Sequence, residues 1–318
     1  MQKIPGVALW GVCSLFAGAI CVGGAEKSLR EVSNAEDKVL RVTLREKRQS
    51  ALDLEIGEIG SDFGAAGSGA RSGAAGRTQY ASREDLLKLP QVTATVTDDA
   101  NLKKATQISG VLLEELRGAL GVPARADLIV AICIDRYHGH FTADYVAAHH
   151  PILVLKIDGK GPEEWPRDAE GRTAYVGPYL ITHAKFTPSF NILAHEDEPQ
   201  IPWGVVRLEF REKEKVFEAI APRGPEAGDA NVQAGFRIAK QNCFRCHSAG
   251  GEGGTKAGIP WPVLTGWAAA APERFSAYVR DPQASNPKTQ MAASPRYDDA
   301  TMKALIVYFK AFTKGGKP

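Results

Sequence analysis

Cysteine and methionine are both scarce in this chain of 318 residues, which carries five cysteines and three methionines. Beyond Cys13 and Cys21 near the start only Cys133, Cys243 and Cys246 remain, too few for a disulfide framework. They are also too few for a four-cysteine zinc site. An excess of one charge is missing too. Lys+Arg 39 against Asp+Glu 37 leaves a net +2, which excludes the basic footprint of a nucleic-acid binder. No internal repeat is present, and Ile4 to Val22 is the one long apolar run. What remains is ordinary globular material, 44% hydrophobic and 24% charged, long enough for two cores.

The N-terminus reads as an export signal over residues 1–25. Met1-Gln2-Lys3 supplies a positive start, Ile4 to Val22 the apolar stretch, and Gly23-Gly24-Ala25 a small-residue cleavage site before Glu26-Lys27. A retained anchor is the competing reading. Lipidation at Cys21 fits poorly, because Gly18-Ala19-Ile20 does not match that signal. The expectation is a periplasmic or otherwise exported protein with no membrane span after cleavage.

Cys243-Phe244-Arg245-Cys246-His247 is the most informative run. Two thiols three positions apart can each form a thioether to a haem vinyl group, and the adjacent imidazole can ligate the iron. Cys243 and Cys246 therefore read as covalent haem c attachment points and His247 as the proximal ligand. A zinc half-site lacks further ligands in range. A redox dithiol belongs at a strand-to-helix turn, whereas the residues before Cys243 read as helical.

Composition changes around this motif. Ala221 to Gly228 is rich in Pro and Gly and reads as a linker (219–228) between a region at 26–218 and a smaller one at 229–318; Gly57 to Arg77, mostly Gly, Ala and Ser, reads as a surface loop (57–78). In the last region Asp229 or Asn231 can cap a helix running through Val232, Phe236 and Ile238 to the motif. Asp298-Asp299 opens another, with Met302, Leu305, Ile306, Phe309 and Phe312 at helical spacing. From Asp229 to Lys314 the chain resembles the class I cytochromes c, whose first and last helices cross; Gly235 would allow close approach to an aromatic such as Tyr308. The resemblance implies an all-α fold with one haem.

Met302 lies on an apolar helical stripe, so loop residue Met291 is the expected sixth ligand, although Ala292 stands where the family often has proline. His/Met ligation raises the potential, and filling both axial positions leaves no open site. Trp261-Pro262-Val263-Leu264-Thr265-Gly266 resembles the family segment in which a proline carbonyl accepts from the proximal imidazole. Pro262 is the expected acceptor and Pro260 the alternative. Leu264, Trp267, Phe275 and Tyr278 are expected around the macrocycle.

The region before the linker reads as α+β. Strand-like runs occur at Leu40 to Leu44, Leu52 to Ile56, Val92 to Val96, Leu128 to Ile132, Ile152 to Leu155 and Val205 to Phe210. Ser109 to Leu120 reads as an amphipathic helix, and Ser82 as the cap of a shorter one. Ser82 to Leu87, Ile108 to Leu113, Ile132-Cys133-Ile134-Asp135-Arg136-Tyr137, Asp158-Gly159 and Tyr175 to Tyr179 together resemble the molybdopterin-binding domain of the sulfite oxidase family, a mixed-sheet fold. The departure is chemical: where that family presents a cysteine to molybdenum, this chain continues Thr97-Asp98-Asp99-Ala100-Asn101. Molybdopterin is therefore not expected, and Cys133 reads as a small buried hydrophobe.

His138 and His140 share a strand face and form a weak candidate metal pair, although surface histidines are the simpler reading of this histidine-rich region. His195 to Glu198 and Arg211 to Lys215 read as solvated faces. The leading reading is an exported electron carrier in which a cofactor-free sulfite-oxidase-like domain docks redox partner proteins, a dehydrogenase donor or an oxidase or cytochrome acceptor. The alternatives are a molybdenum dehydrogenase feeding its own haem, and a metal- or ligand-binding module that modulates it. No catalytic residue is assigned.

Overall fold

The computed structural model describes residues 41–57, 78–102, 104–165 and 177–314. The expected export signal, nearly all of the Gly/Ala/Ser stretch and Tyr175-Val176 lie outside the described residues. The first part comprises β1 (Leu44–Arg45), β2 (Leu54–Ile56), β3 (Gln79–Ala81), α1 (Arg83–Leu87), β4 (Val92–Val96), β5 (Thr106–Leu112) and α2 (Leu113–Ala119). It continues with β6 (Leu128–Cys133), β7 (His138–Thr142), α3 (Ala143–His149), β8 (Ile152–Ile157), β9 (Tyr179–Thr182), β10 (Asn191–Ile192), β11 (His195–Glu196) and β12 (Trp203–Arg211). Helices follow: α4 (Lys213–Glu218), α5 (Ala230–Asn242), α6 (Trp261–Ala270), α7 (Pro272–Arg280), α8 (Pro282–Ser285) and α9 (Asp299–Lys314). A mixed β-sheet domain thus precedes an all-α one, as the patterning predicts.

Ten strands form one sheet in the order β1-β3-β2-β12-β9-β8-β5-β4, with β6 and β7 branching from β12. β12 runs antiparallel to β6 from Val205 to Arg211. Its other edge is divided between β9, antiparallel, and β2, parallel. β6 explains why its sequence is continuously apolar rather than alternating. Ile129, Ala131 and Cys133 enter the sheet's own core, while Leu128 and Val130 enter a second core shared with the helices.

That second core holds Val216, Phe217 and Ile220 together with Trp261, Phe275, Tyr308 and Phe309, so sheet and helices bury one continuous apolar surface. The Tyr308 hydroxyl donates to the Ile220 carbonyl at 2.6 Å, pinning α9 to the end of the sheet domain.

The expected helix from Ser109 begins later. Residues 109–112 belong to β5, which pairs with β4 on one edge and β8 on the other. Two ladders outweigh a local helical pattern, and α2 starts at Leu113. The caps follow the sequence. Ser82 Oγ accepts from the Asp85 amide, Asp229 Oδ1 from Asn231 and Val232, and Asp298 Oδ1 from Thr301.

α5 crosses α9 where α5 has no side chain. A Cβ at Gly235 would stand 2.1 Å from the Ala304 carbonyl oxygen and 2.7 Å from the Tyr308 Cβ. Gly235→Ala is expected to destabilise the protein by ~1–3 kcal/mol through overpacking, against a helix-propensity gain of at most ~1 kcal/mol. The urea midpoint should fall; an equal or higher midpoint would contradict this close crossing.

Candidate cofactor-attachment site

α5 delivers Cys243 as its C-terminal cap, its amide donating to the Ala239 carbonyl at 2.9 Å. The chain then turns tightly, with the amides of Cys246 and His247 both donating to the Cys243 carbonyl, at 3.1 and 3.0 Å. The next three carbonyls are taken from outside the turn. Phe244 accepts from Gly254 at 3.0 Å, Arg245 from His138 at 2.9 Å and Cys246 from Ala257 at 3.1 Å. With the backbone occupied in this way, the cysteine and histidine side chains are the groups left to do chemistry.

Cys243 and Cys246 are half-buried and not disulfide-bonded. Burial pushes the Cys243 thiol up to about 12 and raises Cys246 as well. His247 is buried, and its Nδ1 donates to the Ile259 carbonyl at 2.8 Å. Burial lowers its pKa more than that bond raises it, so the ring is the neutral imidazole, with Nε2 free to ligate.

The acceptor is a correction to the expected Pro262. That residue lies in the first turn of α6, where its carbonyl accepts from Thr265 Oγ1 at 2.8 Å. Ile259 precedes the helix, and its carbonyl is left for the imidazole. Nothing in the local pattern singles out Ile259; only the start of α6 decides between neighbouring carbonyls.

Leu264 and Phe275 are buried, and Trp267 meets Phe275 and Tyr278 edge-on at 5.6 and 5.1 Å. Met291 and Trp267 pack against the same helical core, and Met302 is buried within it. The Met291 loop is held by polar bonds. Gln283 Nε2 donates to the Met291 carbonyl at 2.9 Å, the Met291 amide to Thr289 Oγ1 at 3.2 Å, and the Tyr278 hydroxyl to that same oxygen at 3.2 Å.

The β6–β7 turn lies against the other side of the motif. The Thr255 amide donates to the Arg136 carbonyl at 3.1 Å, and Lys256 Nζ pairs with Asp135 at 2.6 Å. Gly254 fits between the two strips of backbone. A Cβ there would stand 1.8 Å from the Arg245 carbonyl oxygen and 3.0 Å from that of Arg136. Beside this contact is a cavity of about 150 Å³ lined by Asn101, Cys133, Asp135, Tyr137, Trp203 and Lys256, among others. Cys133 is buried, as expected, and burial raises its thiol pKa well above the usual value.

The His138/His140 pair, expected as a weak metal candidate, finds no third ligand among the described residues. The rings lie 6.3 Å apart, but His140 is buried and stacked on Phe244 at 5.1 Å, with neither ring nitrogen hydrogen-bonded. Arg245 and Arg211 both act on it as cations, which opposes a metal ion. Among the described residues no group of three or more His, Cys, Asp or Glu side chains is arranged to hold a metal.

In the segments expected to be solvated, Glu196, Glu198, Glu214 and Lys215 are exposed, but three residues are internal. Arg211 is buried and bonds Glu209 and Glu252, the latter at 2.7 Å across the seam. His195 and Asp197 are buried as well. Asp197 accepts from the Ser189 amide and hydroxyl, both at 2.7 Å, and lies 2.9 Å from His149 Nε2. Nearby, Tyr145 accepts from the Gln200 amide at 2.8 Å, and its hydroxyl lies 3.0 Å from His183 Nε2. Histidine spacing could not show this, because the histidines' partners come from sequence positions 38 and 48 away.

Residues 230–309 match the family of cbb3-type cytochrome c oxidase subunit III. A stretch of 114 residues is 28% identical to a cytochrome c oxidase subunit 2 of Alkalihalophilus pseudofirmus, covering 34% of this chain and 33% of that protein. The chain therefore spans about a third of the length of that relative. The C-terminal region is similar to cytochrome-oxidase-related electron-transfer proteins. Among the described residues no helix is long and apolar enough to cross a membrane.

Burial lowers the pKa of His183 to about 4, with His149 adding to the effect. A histidine depressed in the folded state binds its proton more readily when unfolded, so stability rises with pH through this range. The contribution is complete above pH ~6.5 and is lost as pH falls towards 4, about 3 kcal/mol in all. His183→Gln should flatten that part of the profile of urea midpoint against pH. A profile of unchanged steepness would show that His183 does not titrate this way.

Proposed function

We propose that this chain is an exported c-type electron carrier, in which Cys243 and Cys246 hold one covalent haem, His247 ligates its iron and Met291 supplies the sixth ligand. The observation that carries the reading is the turn after α5. It has two unpaired thiols three positions apart and an imidazole whose Nδ1 is already bonded to Ile259, within the segment that matches the cytochrome-oxidase family. These residues fit the group chemically. When bound, it supplies a one-electron iron couple. The chain's own part is to fix the imidazole's tautomer, exclude water with Leu264, Trp267, Phe275 and Tyr278, and hold the Met291 loop through Gln283 and Tyr278.

In this reading the protein passes electrons between a donor dehydrogenase and an oxidase or another cytochrome, rather than acting as an independent catalyst. The β-sheet domain serves as a docking and positioning platform. From the resemblance of its sequence runs alone we infer for it a sulfite-oxidase-like ancestry without molybdopterin. The loop after β4, where that family carries its cysteine, folds instead around buried Asp99, which accepts from the Thr182 hydroxyl and from the Asn101 amide at 2.7 Å. Metal analysis is expected to find iron without molybdenum; stoichiometric molybdenum would overturn this account of the sheet domain.

Pigment from the purified exported protein should survive acid-acetone extraction and give a haem c pyridine spectrum. The double variant Cys243→Ala/Cys246→Ala should lose covalent pigment. Met291→Ala should lower the midpoint potential and open the iron to carbon monoxide, whereas an unchanged spectrum and potential would assign the sixth ligand elsewhere.

A further inference from the structure

The carbonyl that orients His247 belongs to a segment with little packing of its own. Ala257, Gly258, Ile259 and Pro260 are all exposed, and nothing lies within 4 Å of where a Cβ at Gly258 would stand. Hydrogen bonds and one ion pair therefore place it. On the α6 side the Trp261 amide donates to the Ser248 carbonyl at 2.7 Å, and towards the attachment turn the Ala257 amide donates to the Cys246 carbonyl at 3.1 Å. The remaining hold comes from the sheet domain. The Thr255 amide donates to the Arg136 carbonyl and the Thr255 carbonyl accepts from Gly258 at 3.2 Å, so the turn that leads to Ile259 starts on the β6–β7 turn. Asp135 anchors that start with both carboxylate oxygens: Oδ1 accepts from the Tyr137 amide at 3.0 Å, and Oδ2 from Lys256 Nζ at 2.6 Å. The Lys256 and Asp135 side chains are only 24% and 23% exposed, and the ammonium also lies over the Trp203 ring at 5.7 Å, which sets this pair apart from a screened surface contact.

We propose that Asp135 and Lys256 are positioning residues for His247, and that through them the sheet domain sets the strength of the Nδ1–H bond to Ile259 and so the redox potential of the iron that this imidazole ligates. The inference rests on the covalent haem reading above and gives the sheet domain a second task beside docking. Its sign follows from the chemistry of the ligand. A firm acceptor at Nδ1 makes the imidazole more basic. A more basic ligand favours the oxidised iron over the reduced and lowers the potential. Loosening the turn between Thr255 and Ile259 should therefore weaken that bond and raise the potential. Loss of the Lys256 charge by itself acts the other way, because removing a cation favours the more positive, oxidised state. Lys256→Met thus separates position from charge by the sign of the shift.

Spectroelectrochemical titration of the full-length pigmented protein tests this. Lys256→Met should raise the reduced-to-oxidised ratio at the wild-type midpoint about threefold, equivalent to ~30 mV for one electron. Lys256→Arg, which keeps the ion pair, should stay close to wild type. In reduced Lys256→Met, proton NMR should show the His247 Nδ1–H exchanging with heavy water about tenfold faster than in wild type, with the amides of α9 unchanged. A fall in the potential of Lys256→Met, the sign of charge loss alone, would overturn the proposal, and so would no change. If Lys256→Met acquires no pigment, Asp135→Asn decides by the same NMR measurement: faster exchange of the Nδ1 proton supports the proposal, and an unchanged rate rejects it. Wild-type protein without covalent pigment would instead reject the underlying haem reading.

Discussion

Two backbone hydrogen bonds join the sheet to the attachment turn, His138 N–H to Arg245 C=O at 2.9 Å and Thr255 N–H to Arg136 C=O at 3.1 Å. Between them runs Gly254, at a position with no room for a Cβ. An unmade backbone bond in such a seam costs about 1–3 kcal/mol per buried group, so neither partner can be reoriented alone. The β6–β7 turn and the Cys243–His247 turn are in effect one structural object. Other features of the seam depend on that registration, including Lys256 on Asp135, Arg211 on Glu252, and Phe244 lying on His140.

The same constraint separates the labour within the motif. The carbonyls of residues 243–246 are consumed by internal and cross-seam bonds, in which the thiols of Cys243 and Cys246 and the His247 ring take no part. Helix α5 aims the first cysteine, and its angle is set by the contact of Gly235 with α9. The Ile259 carbonyl then fixes the imidazole. Each reactive side chain is thus held by an element whose own position is determined by packing, which is the requirement for a site with reproducible geometry.

Much of this was legible in the sequence because it depends on local chemistry. The caps at Ser82 and Asp229, the small residue at Gly235 and most strands of the sheet can be read from spacing and residue type. What could not be read depends on partners distant along the chain. The strand at 109–112 is made by two flanking ladders, not by its own propensity. Arg211, Asp197 and His149 look like surface residues until the groups that neutralise or bond them are in place. The acceptor for His247 turned on where α6 begins, a boundary that sequence periodicity locates only to within a few residues. Arg245 was visible as the second variable residue of the motif, but the partner of its carbonyl, the His138 amide, comes from the sheet domain.

The buried polar cluster of the sheet domain explains how that domain can hold groups at the seam accurately. Gln200 bonds both the amide and the carbonyl of His140, at 2.8 and 2.7 Å, and its own amide donates to Tyr145 on α3. Asp197 gathers Ser189 and His149 within the same segment. Residues 195–200 are therefore tied to β7 and α3 at one end. At the other, His195 lies 3.2 Å from Asn242 Nδ2 and meets the Tyr297 ring edge-on at 5.1 Å. Tyr297 in turn accepts, at its carbonyl, from Arg280 on α7, closing the connection around the loop that carries Met291. A polar interior is an expensive way to build a sheet domain if stability is its only purpose, since each buried group must find its partner. It is well suited to holding residues 195–200 at one position between β7, α3 and Asn242, because a satisfied hydrogen-bond network rigidifies the segment that carries it.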